Sequence, residues 1–312
     1  MKAGIVLLGF VALAANAHAQ VGLMPVPVFR NAAIRAEASF ERETGRYVYA
    51  YTAVNPAGNT GELWMFKIDV YADAATNGMV STASGLILPL GQSRVPFGDM
   101  LSRLAKLNTK VSNPTRLRTE TVVPFGQEVP PGWNGGLARD CTAVFAKGEK
   151  GQSIPPSASL GGFRLISFGV PTVRDVEIMP WWVHIVPDHD KVTGAEMQAA
   201  GRVEQDIVVR SATLGPSGVA HGSPAHWNQL RDDLARAVKL GWIVDQGLAQ
   251  NLTSQLASAR AAFDARDFAA ARSRLQALLA AAARSTSGKA TPEALGLVSL
   301  NVQSLLDNTK WI

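Results

Sequence analysis

Asp188-His189-Asp190, followed by Thr193, Gly194 and Glu196, is the densest polar cluster in the 312-residue chain. Carboxylates at alternate positions in a Gly-containing loop offer the oxygen ligands that Ca²⁺ takes, which makes Asp188, Asp190 and Glu196 the candidate metal ligands. The spacing does not match an EF-hand loop, and calcium takes about six or more ligands. The plainer reading is therefore a solvated connection, and no cofactor other than such a Ca²⁺ is expected. Just upstream, Trp181 and Trp182 fall on opposite sides of an expected strand, so one ring enters the core while the other is left to stack on a ligand. With Trp133 or Tyr71 this would form a carbohydrate platform, although aromatic rings in sandwiches more often fill cores. The candidate ligand-binding set is Trp133, Trp181 and Trp182.

Other chemistry finds less support. His184 alternates with Val183 and Ile185, the pattern of a sheet histidine, and neither H-E-x-x-H nor paired cysteines accompany it. Cys141 is the only thiol, so no disulfide forms within the chain and stability must come from burial. There is no G-x-S-x-G elbow. Glu62, Asp69, Glu120, Asp175 and Glu177 could meet as a carboxylate pair for glycoside hydrolysis, but nothing in their spacing favours it.

The elements that must position these residues change character along the chain. Arg46 to Val54 alternates, with Tyr47, Tyr49 and Tyr51 on one face and Val48, Ala50 and Val54 on the other. Asn55-Pro56-Ala57-Gly58-Asn59 breaks this strand, and Glu62 to Tyr71 resumes with Trp64, Phe66, Ile68 and Val70 at period two, which suggests an antiparallel pair joined by a loop. Further strands are expected at 121–123, 142–145, 163–168, 172–178, 181–186 and 206–213, with one short helix over 97–107. Short strands separated by Pro and Gly turns favour an antiparallel β-sandwich. Gly132 and Gly161-Gly162 permit tight turns while Trp133 and Phe163 plug the sandwich ends.

Residues 214–225, rich in Gly, Pro and Ser, read as a linker. Beyond it, apolar residues recur every three or four positions. Trp227, Leu230, Leu234 and Val238 share one helical face, and Leu248, Leu252, Leu256, Ala259 and Phe263 another. Asp267 caps a third helix that stops near Gly288, and Thr291-Pro292 opens a fourth. The expected fold class is mixed and multidomain: a β-sandwich body over 20–213, the linker over 214–225, and a C-terminal four-helix module over 226–312, each folding by itself.

Within these helices, Leu234 to Ile243, Leu252 to Ala259, Phe268-Ala269-Ala270-Ala271 with Leu275 to Leu279, and Gly288-Lys289 occur in an order and spacing that resemble the FIMAH modules of exported bacterial proteins. Leu278-Leu279 stands where such modules often carry Phe-Ile. The resemblance covers under a third of the chain and implies an extracytoplasmic accessory module, with no catalytic residue to carry over. The body looks like uncharacterised sandwich modules of exported bacterial proteins, through Pro130-Pro131-Gly132-Trp133 and Ile154-Pro155-Pro156 followed by Ser159 to Phe163.

Residues 1–19 read as a cleavable signal peptide: Met1-Lys2, an apolar run from Ile5 to Leu13, then Ala17-His18-Ala19. That run is shorter than the roughly 20 residues a membrane span needs, and no later one is long enough, so no integral membrane segment is expected after cleavage. Export to the periplasm or the extracellular space follows. The net charge of +5 comes from 30 basic and 25 acidic residues without a Lys/Arg block, which argues against nucleic acid as partner. The sequence thus points to an exported non-catalytic protein with a recognition or scaffolding body, partnered by an unknown protein or polysaccharide; the alternative is a secreted hydrolase or carbohydrate-binding protein acting on a polymer.

Overall fold

The computed structural model describes residues 25–72, 121–122, 125–137, 142–149, 151–182, 194–285 and 288–311. The leader segment, Cys141, His184, Asp188, Asp190 and the helix expected over 97–107 lie outside them.

Two antiparallel sheets face each other. The first has the order β1 (Ala33–Glu41), β2 (Arg46–Asn55), β9 (Ala158–Ser167), β6 (Phe125–Glu128). The second runs β11 (Val209–Pro216), β10 (Pro171–Pro180), β3 (Leu63–Asp69), β8 (Thr142–Lys147), β7 (Trp133–Leu137). A separate two-stranded ladder joins β4 (Tyr71–Ala72) to β5 (Thr121–Val122). Five helices are described: α1 (Gly194–Asp206), α2 (Pro224–Lys239), α3 (Gln246–Asp264), α4 (Phe268–Ala283) and α5 (Pro292–Asn308).

The tyrosine face of β2 closes the core as the alternation predicts. Tyr47, Tyr49 and Tyr51 are buried, and the two deepest reach across the sandwich for backbone acceptors. Tyr49 Oη donates to Gly169 O at 2.6 Å and Tyr51 Oη to Leu214 O at 2.9 Å, so each buried hydroxyl is satisfied. Between the sheets Phe66 stacks on Phe145 at 4.7 Å, and Phe163 sets its edge against Trp133 at 4.9 Å.

The strands 46–54 and 62–71 do not pair with each other, contrary to expectation. β2 pairs with β1 and β9, while β3 pairs with β10 and β8 in the opposite sheet. The connection crosses the sandwich because buried Asn55 ties it to both layers: its Nδ2 donates to Gly61 O and to Ile154 O, and its Oδ1 accepts from Asn59. A hairpin would leave that amide without these partners.

The stretch 214–225 is not a free linker. β11 runs through Gly215 and Pro216, in register with Thr172 and Pro171, and Leu214, Ser217 and Val219 are buried. Small residues here serve close packing, since a Cβ on Gly222 would meet Asn308 O at 2.4 Å and one on Gly215 would meet Arg174 Cγ at 2.9 Å. Only after Ser223, the N-cap, does α2 begin. The apolar core then continues without interruption from Tyr49 and Leu214 into Trp227, Leu230, Leu297 and Val302, so the expected division into separately folding units is not what the packing shows.

Helix boundaries follow their caps. Asp245, Asp267 and Thr291 each accept a hydrogen bond from a backbone N–H in the first turn that follows. Val238, expected on the buried face of α2, is instead 39% exposed. β1 and α1 are elements that pattern reading did not find. β1 lies at a sheet edge whose backbone is covered: Ala36 N donates to Glu293 Oε1 of α5 at 3.2 Å, and Gly296 packs against Ala38.

Candidate functional site

Among the described residues, two places where polar or aromatic side chains converge bear on function. One is a cleft on the outer face of the five-stranded sheet; the other is the junction between that sheet and α2 and α5.

The cleft has a volume of about 690 Å³. Its strand side is built by Trp64 and Met65 of β3, Glu177, Met179 and Pro180 of β10, Trp182, and Arg210 of β11, and α1 closes the other side with Gly201, Gln205 and the following Ile207 and Val208. Met65 and Met179 are register partners and so present their thioethers side by side. At Met179/Pro180 the pairing slips, as expected where proline has no N–H to give the ladder. The chain leaves the sheet there, with Trp181 N donating to Glu62 O at 2.6 Å. This irregularity turns Trp181 outward and Trp182 into the cleft.

Trp181 is 49% exposed. Its orientation is held by an edge-to-face contact with Trp64 at 5.4 Å and by Lys147, whose Nζ lies 5.6 Å from the ring centroid. Glu177 pairs in register with Lys67 on one side and Arg210 on the other, and Arg210 Nε reaches its carboxylate at 3.2 Å.

Of the sequence-predicted ligand residues, the structure places Trp182 in this cleft, Trp181 outside it against Trp64, and Trp133 elsewhere. Trp133 is buried, its ring against Phe163, following Gly132 at φ +81°. It is a core residue because the left-handed turn at Gly132 folds it inward. Of the metal candidates, Asp188 and Asp190 lie outside the described residues and Glu196 falls on α1. Among the described residues no group of three or more His, Cys, Asp or Glu gathers as a metal site. Sequence reading missed Met65, Met179, Gln205 and Arg210. The signal for the first two was parity, since both sit opposite to the core-facing Phe66 and Ile178.

The junction is a buried polar network. Asp233 of α2 accepts from Thr172 Oγ1 at 2.7 Å, Val173 N at 3.2 Å and Gln229 Nε2 at 3.3 Å. Burial pushes its pKa up to about 6, against those hydrogen bonds, which favour the ionised form. His226 Nδ1 accepts from Gly222 N at 3.1 Å, which places the proton of the neutral ring on Nε2, facing Asn301 Oδ1 at 2.8 Å. Asn301 in turn donates to Pro171 O at 2.8 Å and Leu297 O at 2.7 Å. Burial lowers the His226 pKa to about 4, and protonation at Nδ1 would set two N–H groups against each other. Arg236 donates to Val173 O and pairs with Asp175 at the solvent side. Every one of these groups has a structural partner, so the junction holds the fold together; the cleft, where Trp64, Trp182, Met65 and Met179 converge, is the candidate site.

Comparison with protein-family models, curated proteins and solved structures finds no match to this chain.

Proposed function

We propose that the chain is an exported, non-catalytic recognition protein whose sandwich binds a partner in the Trp64/Trp182 cleft. The tail of helices α2 to α5 is in this reading an accessory unit of FIMAH type that serves attachment or protein contact. The observation that carries the recognition role is the make-up of the cleft. Tryptophan, methionine and arginine are the side chains enriched at binding surfaces, and here Trp64, Trp182, Met65, Met179 and Arg210 converge on one concavity. Thioethers adapt their shape to a ligand, and Trp offers large contact area for little lost rotamer freedom. At about 690 Å³ the cleft has the size of sites that bury a small ligand or a few side chains. Export rests on the order of charge, apolar run and small-residue triplet over residues 1–19.

A titration with the dye 8-anilinonaphthalene-1-sulfonate tests this role. One saturable site is expected in the native protein, lost in Met179→Asp at unchanged melting temperature. Dye binding that persists in that variant, or turnover of a polymer substrate by the purified protein, would contradict it.

A further inference from the structure

Along one side of the sandwich the edge strands β1 and β11 lie against each other without joining, one in each sheet. α5 fills part of this seam, with Glu293 on Ala36 N and Gly296 close to Ala38 and Leu214. Its cover ends there. Between residues 31–35 and 209–212 an opening of about 470 Å³ remains, bounded by the turn at Leu240, Gly241 and Trp242 and by Thr291. We infer that this opening is a strand-addition site: an extended polypeptide pairs with the free edge of β11 at Arg210 and Ala212, with β1 at Ile34 as the facing wall. It shares only Arg210 with the Trp64/Trp182 cleft and does not depend on the role proposed for that cleft.

Ladder parity locates the free groups. Ser217 N donates to Val170 O, so every second residue back along β11, namely Gly215, Thr213 and Ser211, also turns its backbone to β10. Leu214, Ala212 and Arg210 turn theirs to the seam, and Leu214 O is met there by the Tyr51 hydroxyl at 2.9 Å. The backbone N–H and C=O of Arg210 and Ala212 have no partner among the described residues. On β1 the outward bond from Ala36 N to Glu293 places the backbone of Ile34, two residues earlier, on the seam as well. Such groups recur at every second residue, about 7 Å apart, a spacing that another extended backbone repeats and a sugar ring does not.

Proteins blunt exposed edges with proline, a bulge or an inward charge. Val209 to Ala212 keeps unbroken register with β10 and contains no proline, and its one charge, Arg210, is turned to Glu177 at 3.2 Å. The seam on the other side of the sandwich is closed by contrast: buried Gln127 of β6 lies against Gly135 of β7 and donates to Val144 O of β8 at 2.9 Å.

The experiment follows a dye-labelled neutral peptide, Ser-Val-Thr-Val-Thr-Ser, on the full chain by anisotropy and by residue-resolved amide exchange. Saturable binding is expected, with the same peptide N-methylated at its four central amides weaker by about tenfold or more, the effect of one to two lost hydrogen bonds. Bound peptide should slow exchange at Arg210 and Ala212 by about tenfold or more and leave Ser211 and Thr213, already held by β10, unchanged. Ala212→Pro removes a seam-facing N–H and no ladder bond, so it should lose the peptide while Ser211 and Thr213 stay protected; the methylated peptide decides the matter if that variant fails to fold. Equal binding of the methylated peptide, absence of saturable binding, slowed exchange confined to other segments, or native affinity in a folded Ala212→Pro each overturn the inference. Slowing at Arg210 and Ala212 with protein concentration alone overturns it in favour of a second copy of the chain. Each of these results leaves the recognition role of the cleft to its own dye titration.

Discussion

The carboxylate of Asp233 on α2 accepts a 2.7 Å hydrogen bond from the hydroxyl of Thr172 on β10. Through this contact a helix of the tail satisfies the beginning of a central sandwich strand, because the same carboxylate also takes Val173 N. Asp233→Ala strands a backbone N–H and a hydroxyl in a site that remains buried. A loss of about 2–4 kcal/mol is expected in urea unfolding, whereas Asp232→Ala, at an exposed neighbour, should stay within about 0.5 kcal/mol.

Two buried titratable groups of α2, Asp233 and His226, give opposite pH dependences. Asp233 has a native pKa of about 6 against 3.8 in its ordinary state, so its contribution to stability is full below pH 4 and is lost as pH rises through 6. His226 has a native pKa of about 4 against 6.5, so its contribution is full above pH 6.5 and is lost as pH falls through 4. Between pH 4 and 6 the two offset each other. Asp233→Asn should therefore lose stability on acidification from pH 6.5 to 4, by on the order of 2 kcal/mol relative to the native chain. His226→Gln should gain over the same interval. Denaturant midpoints across that range measure both slopes.

Gly222 joins the sandwich side to α2 at φ +70°, where a Cβ would come 2.4 Å from Asn308 O of the last helix. Neither the dihedral nor the space admits a side chain. Gly222→Ala should cost about 2 kcal/mol or more, read as a lowered melting temperature, while Gly194→Ala, with nothing within 4 Å, should not.

The tail severed from the sandwich should not keep its native stability. Excision at Ser223 would uncover the α5 face that packs on β1 and β10 and remove the Pro171 O partner of Asn301 and the Ala36 N partner of Glu293. A fragment over 224–312 is expected to melt at least about 10 °C below the full chain or without a cooperative transition. A fragment melting at the native temperature would show that the junction adds nothing.

Much of this architecture was legible. β2, β3 and β10 announce themselves by alternation, and Asp267 and Thr291-Pro292 mark helix starts by their capping chemistry. What pattern could not reach depended on contacts between distant residues. The sheet to which β3 belongs is decided by Asn55 reaching Ile154, 99 positions away. β1 was obscured because its inward residues include Ala36 and Ala38, kept small where Glu293 and Gly296 of α5 come close. The 214–225 segment looked like a linker because Gly and Pro that pack tightly resemble Gly and Pro that do not pack at all. At the cleft, Trp181 and Trp182 stood out by type, but Met65 and Met179 became neighbours only through the β3/β10 register.

Amide hydrogen exchange of the full chain with and without 8-anilinonaphthalene-1-sulfonate tests most directly whether the outer sheet face, and not the helical tail, is the recognition surface. Slowed exchange is expected at 64–65, 179–182 and 205–210, with 226–311 unchanged. Protection confined to the helices α2 to α5, or a pattern identical with and without the dye, would contradict it.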